Sequence, residues 1–199
     1  MDQYRSEITP EPGGPGSLEG GAKLREFLRD TLETVLIALV LFLAINAVSA
    51  RIRVESVSMQ PTLFAGNYVI VNKLAYQLGE SQRGDVIVFK YPPDPEREPY
   101  IKRVIGLPGD RVRVDNGNVY VNAELLVEPY LEVVTEQEGE WQVPADNLFV
   151  MGDNRNNSSD SRAWGMVPLD NVIGKALVIY WPPEQWGLLG FPYAVAAGH

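Results

Sequence analysis

Two serines stand two apart in "ESVSMQPTL", residues 55 to 63, just ahead of a Met and a Pro. A serine hydroxyl becomes a nucleophile only when a neighbouring base takes its proton. The usual base is histidine, and the sequence has one, His199, its last residue. There is no cysteine, which excludes thiol catalysis, disulfides and thiolate metal sites. A carboxylate is a poor base for a hydroxyl, so Ser58 points to lysine. At its ordinary pKa of about 10.4, roughly 0.04% of a lysine is neutral at pH 7. Lowering that value to about 8.5 takes roughly 2.6 kcal/mol of desolvation and raises the neutral fraction to about 3%. The base must be a lysine that the fold buries.

The sequence contains five lysines. Lys23 precedes an apolar run and Lys175 lies far from the other signals, whereas Lys73, Lys90 and Lys102 fall in β-like stretches. Lys102, in "YIKRVIGLPGD", is surrounded by Ile101, Val104, Ile105 and Leu107, with Tyr100 as a lid. Alternation puts Tyr100, Lys102 and Val104 on one face and Ile101, Arg103 and Ile105 on the other. Each face then carries one cation, and the pattern leaves open which is buried. Lys102 leads Lys73 and Lys90 narrowly.

A third cluster, "MGDNRNNSSDSRAWG" at residues 151 to 165, holds three Asn, three Ser, two Asp and two Arg. It reads either as a polar loop capping its own backbone or as a rigid loop that orients a lysine through hydroxyls, amides and ion pairs. Other templates fail. Pro61 occupies the place where a β-lactamase-type lysine would follow Ser58, and no G-x-S-x-G, Walker, G-x-G-x-x-G or H-E-x-x-H motif occurs.

These residues need elements to position them. From Arg51 onward, short β-type runs alternate with turn residues: "NYVIVNKLAY", "GDVIVFKYP", "YIKRVIGLPGD", "RVRVDNGNVYVN", "NLFVMGDN" and "NVIGKALVIYW". Asn116-Gly117 marks a hairpin, and the Gly-Asp pairs at 84–85, 109–110 and 152–153 mark turns. The expected fold is mainly β and antiparallel. The expected domains are a disordered tail at 1–22, a juxtamembrane and transmembrane helix at 23–50, a β-rich catalytic domain at 51–185, and an aromatic tail at 186–199. Trp181, Trp186, Phe191 and Tyr193 read as edge packing or as a belt touching a membrane surface.

Residues 34 to 50, "TVLIALVLFLAINAVSA", carry no charge over seventeen positions, roughly 25 Å of helix. That suits a membrane span better than a core helix, because every face is apolar. The end "NAVSA" also resembles a signal-peptide cleavage site, but a signal peptide opens with a short basic region. Here 33 residues precede, with four Lys/Arg against seven Asp/Glu. A retained anchor is expected. Lys23, Arg25 and Arg29 before the span, against Arg51 and Arg53 after it, favour a cytoplasmic N-terminus by one charge. The formal charge of −9 excludes a nucleic-acid partner, which needs a basic patch, and a single terminal His makes a zinc or iron site improbable. No metal and no cofactor is expected.

Together "SVSMQPTL", "RGDVIVFKYP", "YIKRVIGLPGD" and "GDNRNNSSDSRAWG", in this order behind an anchor, resemble the motif set of bacterial type I signal peptidases over about residues 24 to 182. The single span resembles the compact Gram-positive and cyanobacterial or thylakoid members. The resemblance implies a barrel-like antiparallel fold and a Ser–Lys serine endopeptidase that cuts preprotein signal peptides after Ala-X-Ala. It further implies a single-pass protein of the plasma or a thylakoid-type membrane, in contact with lipid, with its catalytic domain on the outer or lumenal face. By motif position Ser58 is the nucleophile, Lys102 the general base, Ser158 the hydroxyl orienting the lysine, and Ser56 with the Ser58 N–H the oxyanion hole. Asp153, Arg103, Asp160 and Arg162 brace the site, and Met59 and Tyr100 are substrate-pocket candidates. Two departures stand out. Asn156 occupies a usual Asp position, removing a charge from the loop, and the short stretch between Lys102 and Gly152 leaves little room for a large second subdomain. Other readings are a dedicated conjugation or pilus processing peptidase and an inactive membrane-anchored scaffold. "NAVSA" also raises self-processing after Ala50.

Overall fold

A computed structural model describes residues 16–131 and 133–190. The expected tail up to residue 15 and the end from 191, His199 included, lie outside the described residues. The apolar run folds as α1, Gly16–Val48, so residues 16–22, expected to belong to the tail, are helical. The stretch long and apolar enough to cross a membrane is Lys23–Val48, 26 residues with a mean hydropathy of 2.2 and none of that window buried. Its Leu, Ile, Val and Phe side chains are exposed along that stretch, which gives it the length and composition of a membrane span.

The chain divides into two compact units, one up to Ile45 and one from Asn46 onward. In the second, Ser49 and Ala50 begin β1, Ser49–Arg53, instead of ending the helix. Lys73 satisfies open carbonyls of the last helical turn. Its N–H donates to Val48 O at 2.9 Å and its Nζ to Asn46 O at 3.0 Å.

The larger sheet contains β1, β2 (Tyr68–Asn72), β3 (Val86–Phe89), β4 (Tyr100–Gly106), β9 (Asn147–Met151), β10 (Val167–Pro168), β11 (Val172–Trp181) and β12 (Gly187–Leu188). Its order is β1-β2-β11-β3-β4-β9-β10, with β12 on β11, and every pairing is antiparallel. The second sheet, β7-β6-β5-β8, is made of β5 (Arg111–Asp115), β6 (Asn118–Val121), β7 (Glu124–Leu125) and β8 (Gly139–Gln142). The second subdomain is thus present, as a small sheet. Asn116 and Gly117, at φ 48° and 79°, make the expected hairpin turn. All the expected runs contain strands. β1, β7, β8, β10 and β12 lay outside them, and four of these five have two to four residues, too short for a period-2 pattern.

β3 reads "VIVF", without alternation, because both its faces are covered. Val86 and Val88 join Val54, Met59, Leu63, Val69 and Val71 in one core cluster. Ile87 and Phe89 join Val104, Leu148 and Val150 in another. A third cluster, with Ile105, Val112, Val121, Phe149 and Met151, fills the space under the small sheet. β4 sits between β3 and β9, so neither of its edges is free.

Candidate active site

Ser58 lies in the turn after β1, where the Gln60 N–H donates to Val57 O at 3.2 Å and the Leu63 N–H to Met59 O at 2.8 Å. It is 7% exposed. Lys102 stands opposite Ile87 in the β3–β4 ladder, is 4% exposed, and donates through Nζ to Ser58 Oγ at 2.5 Å. Burial pushes its pKa down from 10.5 to about 8, against the opposing pull of the Asp160 and Asp153 carboxylates. Ser56 Oγ lies 3.1 Å from Ser58 Oγ. The other lysines of the β unit are elsewhere: Lys73, just after β2, caps α1, Lys90, just after β3, is exposed, and Lys175 pairs with Asp85 at 2.5 Å.

The loop after β9 closes over this pair. Asp153 takes a two-pronged ion pair from Arg103, at 2.8 Å from Nε and 2.6 Å from Nη2, with both side chains fully buried. Both cations of β4 are therefore inside, one facing the serine and one facing a carboxylate. Asp160 caps the short helix α2, Ser161–Trp164, binds Arg162 at 2.7 Å and accepts from the Gly152 N–H at 3.0 Å. Burial works against its charge, yet the Arg162 bonds and charge and the Gly152 N–H hold its pKa below the ordinary value. The buried Ser158 hydroxyl has no partner within hydrogen-bond limits, so the expected bond to Lys102 is not made. Gly152 lets the loop approach closely: a Cβ there would fall 2.4 Å from Ser58 O and 2.3 Å from Ser158 Oγ.

Two loop residues, Asn154 and Arg155, escaped the sequence reading, and Asn156 entered it only as a lost charge. Asn154 donates its N–H to Ser58 O at 3.0 Å and its amide Nδ2 to Val57 O at 3.2 Å. Arg155, with its side chain fully buried, forks onto Glu128 and reaches Thr135 Oγ1 at 3.2 Å. Asn156 accepts from the Glu136 N–H and donates to Val134 O, each at 3.0 Å. Its amide thus ties the loop to the segment before β8, a task for which the expected absence of charge is incidental. Tyr130, in the same segment, places its ring 4.1 Å from the Arg103 guanidinium. The partners lie 20 or more positions away in the sequence, so no local pattern announced them.

An open cleft of about 910 Å³ runs along Ser58 and Lys102, lined by the stretches Arg51–Ser58 and Arg97–Lys102 together with Asn157 and Ser159. Tyr100 lines it as expected, stacked on Tyr91 at 4.6 Å. Met59 does not. It is fully buried in the cluster with Val54 and Leu63, because the turn at Ser58 directs its neighbour into the core. The bond after Ala50, considered for self-processing, lies in β1, paired with β2.

The profile of the family described as "Signal peptidase, peptidase S26" matches residues 28–181. The chain is 43% identical over 164 residues to a probable signal peptidase I-2 of Synechocystis sp., covering 79% of this chain and 75% of that one. It is also 43% identical over 173 residues to a signal peptidase I of Leptolyngbya laminosa, covering 83% and 85%. A signal peptidase I structure from Enterococcus faecalis V583 aligns with a TM-score of 0.45 at 32% identity, over 49% of this chain and 97% of that one.

Proposed function

The chain belongs to the signal peptidase family, peptidase S26, and from that premise we propose that it removes signal peptides from exported preproteins, with Ser58 as nucleophile and Lys102 as general base. The observation that carries this reading is the buried Lys102 Nζ–Ser58 Oγ contact of 2.5 Å, on a lysine whose pKa burial has brought to about 8. At pH 7 roughly a tenth of such a lysine is neutral and able to accept a proton. Ser58 Oγ attacks the scissile carbonyl while its proton passes to Lys102. The Ser58 N–H and the Ser56 hydroxyl face the developing oxyanion, and such a donor is typically worth about 3 kcal/mol. Collapse of the tetrahedral intermediate transfers the Lys102 proton to the leaving amine. Lys102, neutral again, then takes a proton from the water that cleaves the acyl-enzyme. Ser158 is assigned as the lysine-orienting hydroxyl by its motif position alone, Asp153 with Arg103 and Asp160 with Arg162 keep the loop in place, and the segment from β1 to β12 forms the catalytic domain.

The cleft between Arg51–Ser58 and Arg97–Lys102 suits an extended peptide, with small side chains at the positions nearest Ser58, as in Ala-X-Ala. α1 anchors the chain in the plasma membrane or a thylakoid-type membrane, N-terminus cytoplasmic and catalytic domain on the outer or lumenal face, in contact with lipid. The test is cleavage of a purified preprotein bearing Ala-X-Ala, in detergent. Wild type cuts after the second Ala, while Ser58→Ala and Lys102→Met are inactive though folded. Residual activity in Lys102→Met would move the base elsewhere, and equal cutting of bulky residues at the site would remove the specificity.

A further inference from the structure

The backbone on both sides of the nucleophile is held by one residue. Asn154 Nδ2 donates to Val57 O at 3.2 Å, and the Asn154 N–H donates to Ser58 O at 3.0 Å. The Val57 carbonyl and the Ser58 N–H belong to one planar trans peptide and point in opposite directions across it. A group that holds the carbonyl therefore aims the N–H. The Gln60 N–H, at 3.2 Å, is the other hydrogen bond to that carbonyl, but it comes from the same short turn and moves with it.

Asn154 itself is set on a fixed base. On one side Asp153 is bound by Arg103. On the other, Arg155 is bound by Glu128 and Asn156 by the Val134 and Glu136 backbone. The four consecutive side chains are thus tied to three segments, Asp153 to β4, Asn154 to the turn at Ser58, and Arg155 and Asn156 to the stretch between β7 and β8, and only one of the four reaches the nucleophile's peptide. Gly152 completes the approach, since any Cβ there would meet the Ser58 carbonyl oxygen.

We propose that Asn154 is a positioning residue for the oxyanion hole: its amide clamps the Val57–Ser58 peptide so that the Ser58 N–H points at the oxyanion of the tetrahedral intermediate. This rests on the reading of Ser58 as nucleophile. The position calls for a side-chain donor, because a carboxylate would turn an oxygen onto the Val57 carbonyl. Stabilisation of a developing charge depends on donors already aimed at it, so losing the clamp costs turnover and leaves ground-state binding intact.

The test uses the full chain in detergent with an Ala-X-Ala preprotein, comparing wild type, Ser58→Ala, Asn154→Ala and the isosteric Asn154→Asp, which keeps the loop's shape and removes the donor. Each is read for kcat, KM, the pH profile, and inhibition by an Ala-X-Ala peptide aldehyde. The serine oxygen adds to the aldehyde carbon and its proton ends on the resulting hemiacetal, which copies the tetrahedral state. We expect both Asn154 variants to lose about tenfold or more in kcat with KM unchanged, and the lysine limb of the pH profile to stay in place in Asn154→Ala, which adds no charge. Aldehyde affinity should fall by the same factor. A kcat within twofold of wild type in Asn154→Asp overturns the proposal, as does a loss confined to KM, a shifted lysine limb in Asn154→Ala, or undiminished aldehyde binding. A normal Asn154 variant beside a dead Ser58→Ala overturns the clamp alone. An active Ser58→Ala overturns the nucleophile assignment and the clamp with it.

Discussion

Lys102 is placed where a cation is costly and a neutral amine is useful. Activity should rise as pH passes through about 8, because the ammonium must lose its proton before it can accept one from Ser58; a pH profile of kcat/KM, flat above that value, would check this. Stability follows the same proton. The lysine ionises near 10.5 when unfolded and about 8 when folded, so between those values the unfolded chain binds the extra proton and rising pH favours the fold. Below about 8 both states are protonated and the burial cost is fully present, about 3 kcal/mol. Lys102→Met should therefore be inactive yet more stable than wild type at pH 7, by up to that amount. The difference should shrink between pH 8 and 10.5 in denaturant titrations run across that range.

At the scale of elements, the loop 152–160 is held by the segment that leads from β7 to β8. Arg155 and Glu128 are joined inside the protein, and removing one partner leaves the other buried and unpaired. Glu128→Ala should cost about 3 kcal/mol in urea unfolding, with activity falling as the loop loosens. Asn156→Asp keeps the acceptor for the Glu136 N–H and loses the donor to Val134 O. It should cost about 1 kcal/mol, although the resemblance to signal peptidases gives Asp as the usual residue there. A gain in stability would show that the amide's second bond contributes nothing.

For the whole molecule, the division after Ile45 separates an apolar helix from a β unit with its own three core clusters. A chain starting at Asn46 keeps both carbonyls that Lys73 binds. It should fold and cut a soluble Ala-X-Ala peptide with an unchanged kcat. On a preprotein embedded in vesicles it should be slower by tenfold or more, since tethering confines enzyme and substrate to one surface and raises their effective concentration. Equal rates on vesicles would leave the helix without that role.

Patterns local in sequence were enough for the apolar helix, the six β-type runs, the Asn116-Gly117 hairpin and the two motifs that hold Ser58 and Lys102. Chain length, apolar runs and turn chemistry act between near neighbours, and they read directly. Which face of "YIKRV" is buried was not legible, because the answer is both: the turn with Ser58 meets Lys102 on one face and the loop with Asp153 meets Arg103 on the other. Met59 looked like pocket lining beside Ser58, and the turn sends it into the core. Asn154, Arg155 and Asn156 looked like one more polar loop, because their partners at 57, 128, 134 and 136 come close only when two sheets pack. Residue types and short-range order were decided by the sequence alone. The desolvation that lowers the Lys102 pKa, and the long-range bonds that hold the loop beside it, exist only once the chain has folded, because both depend on neighbours that only folding supplies.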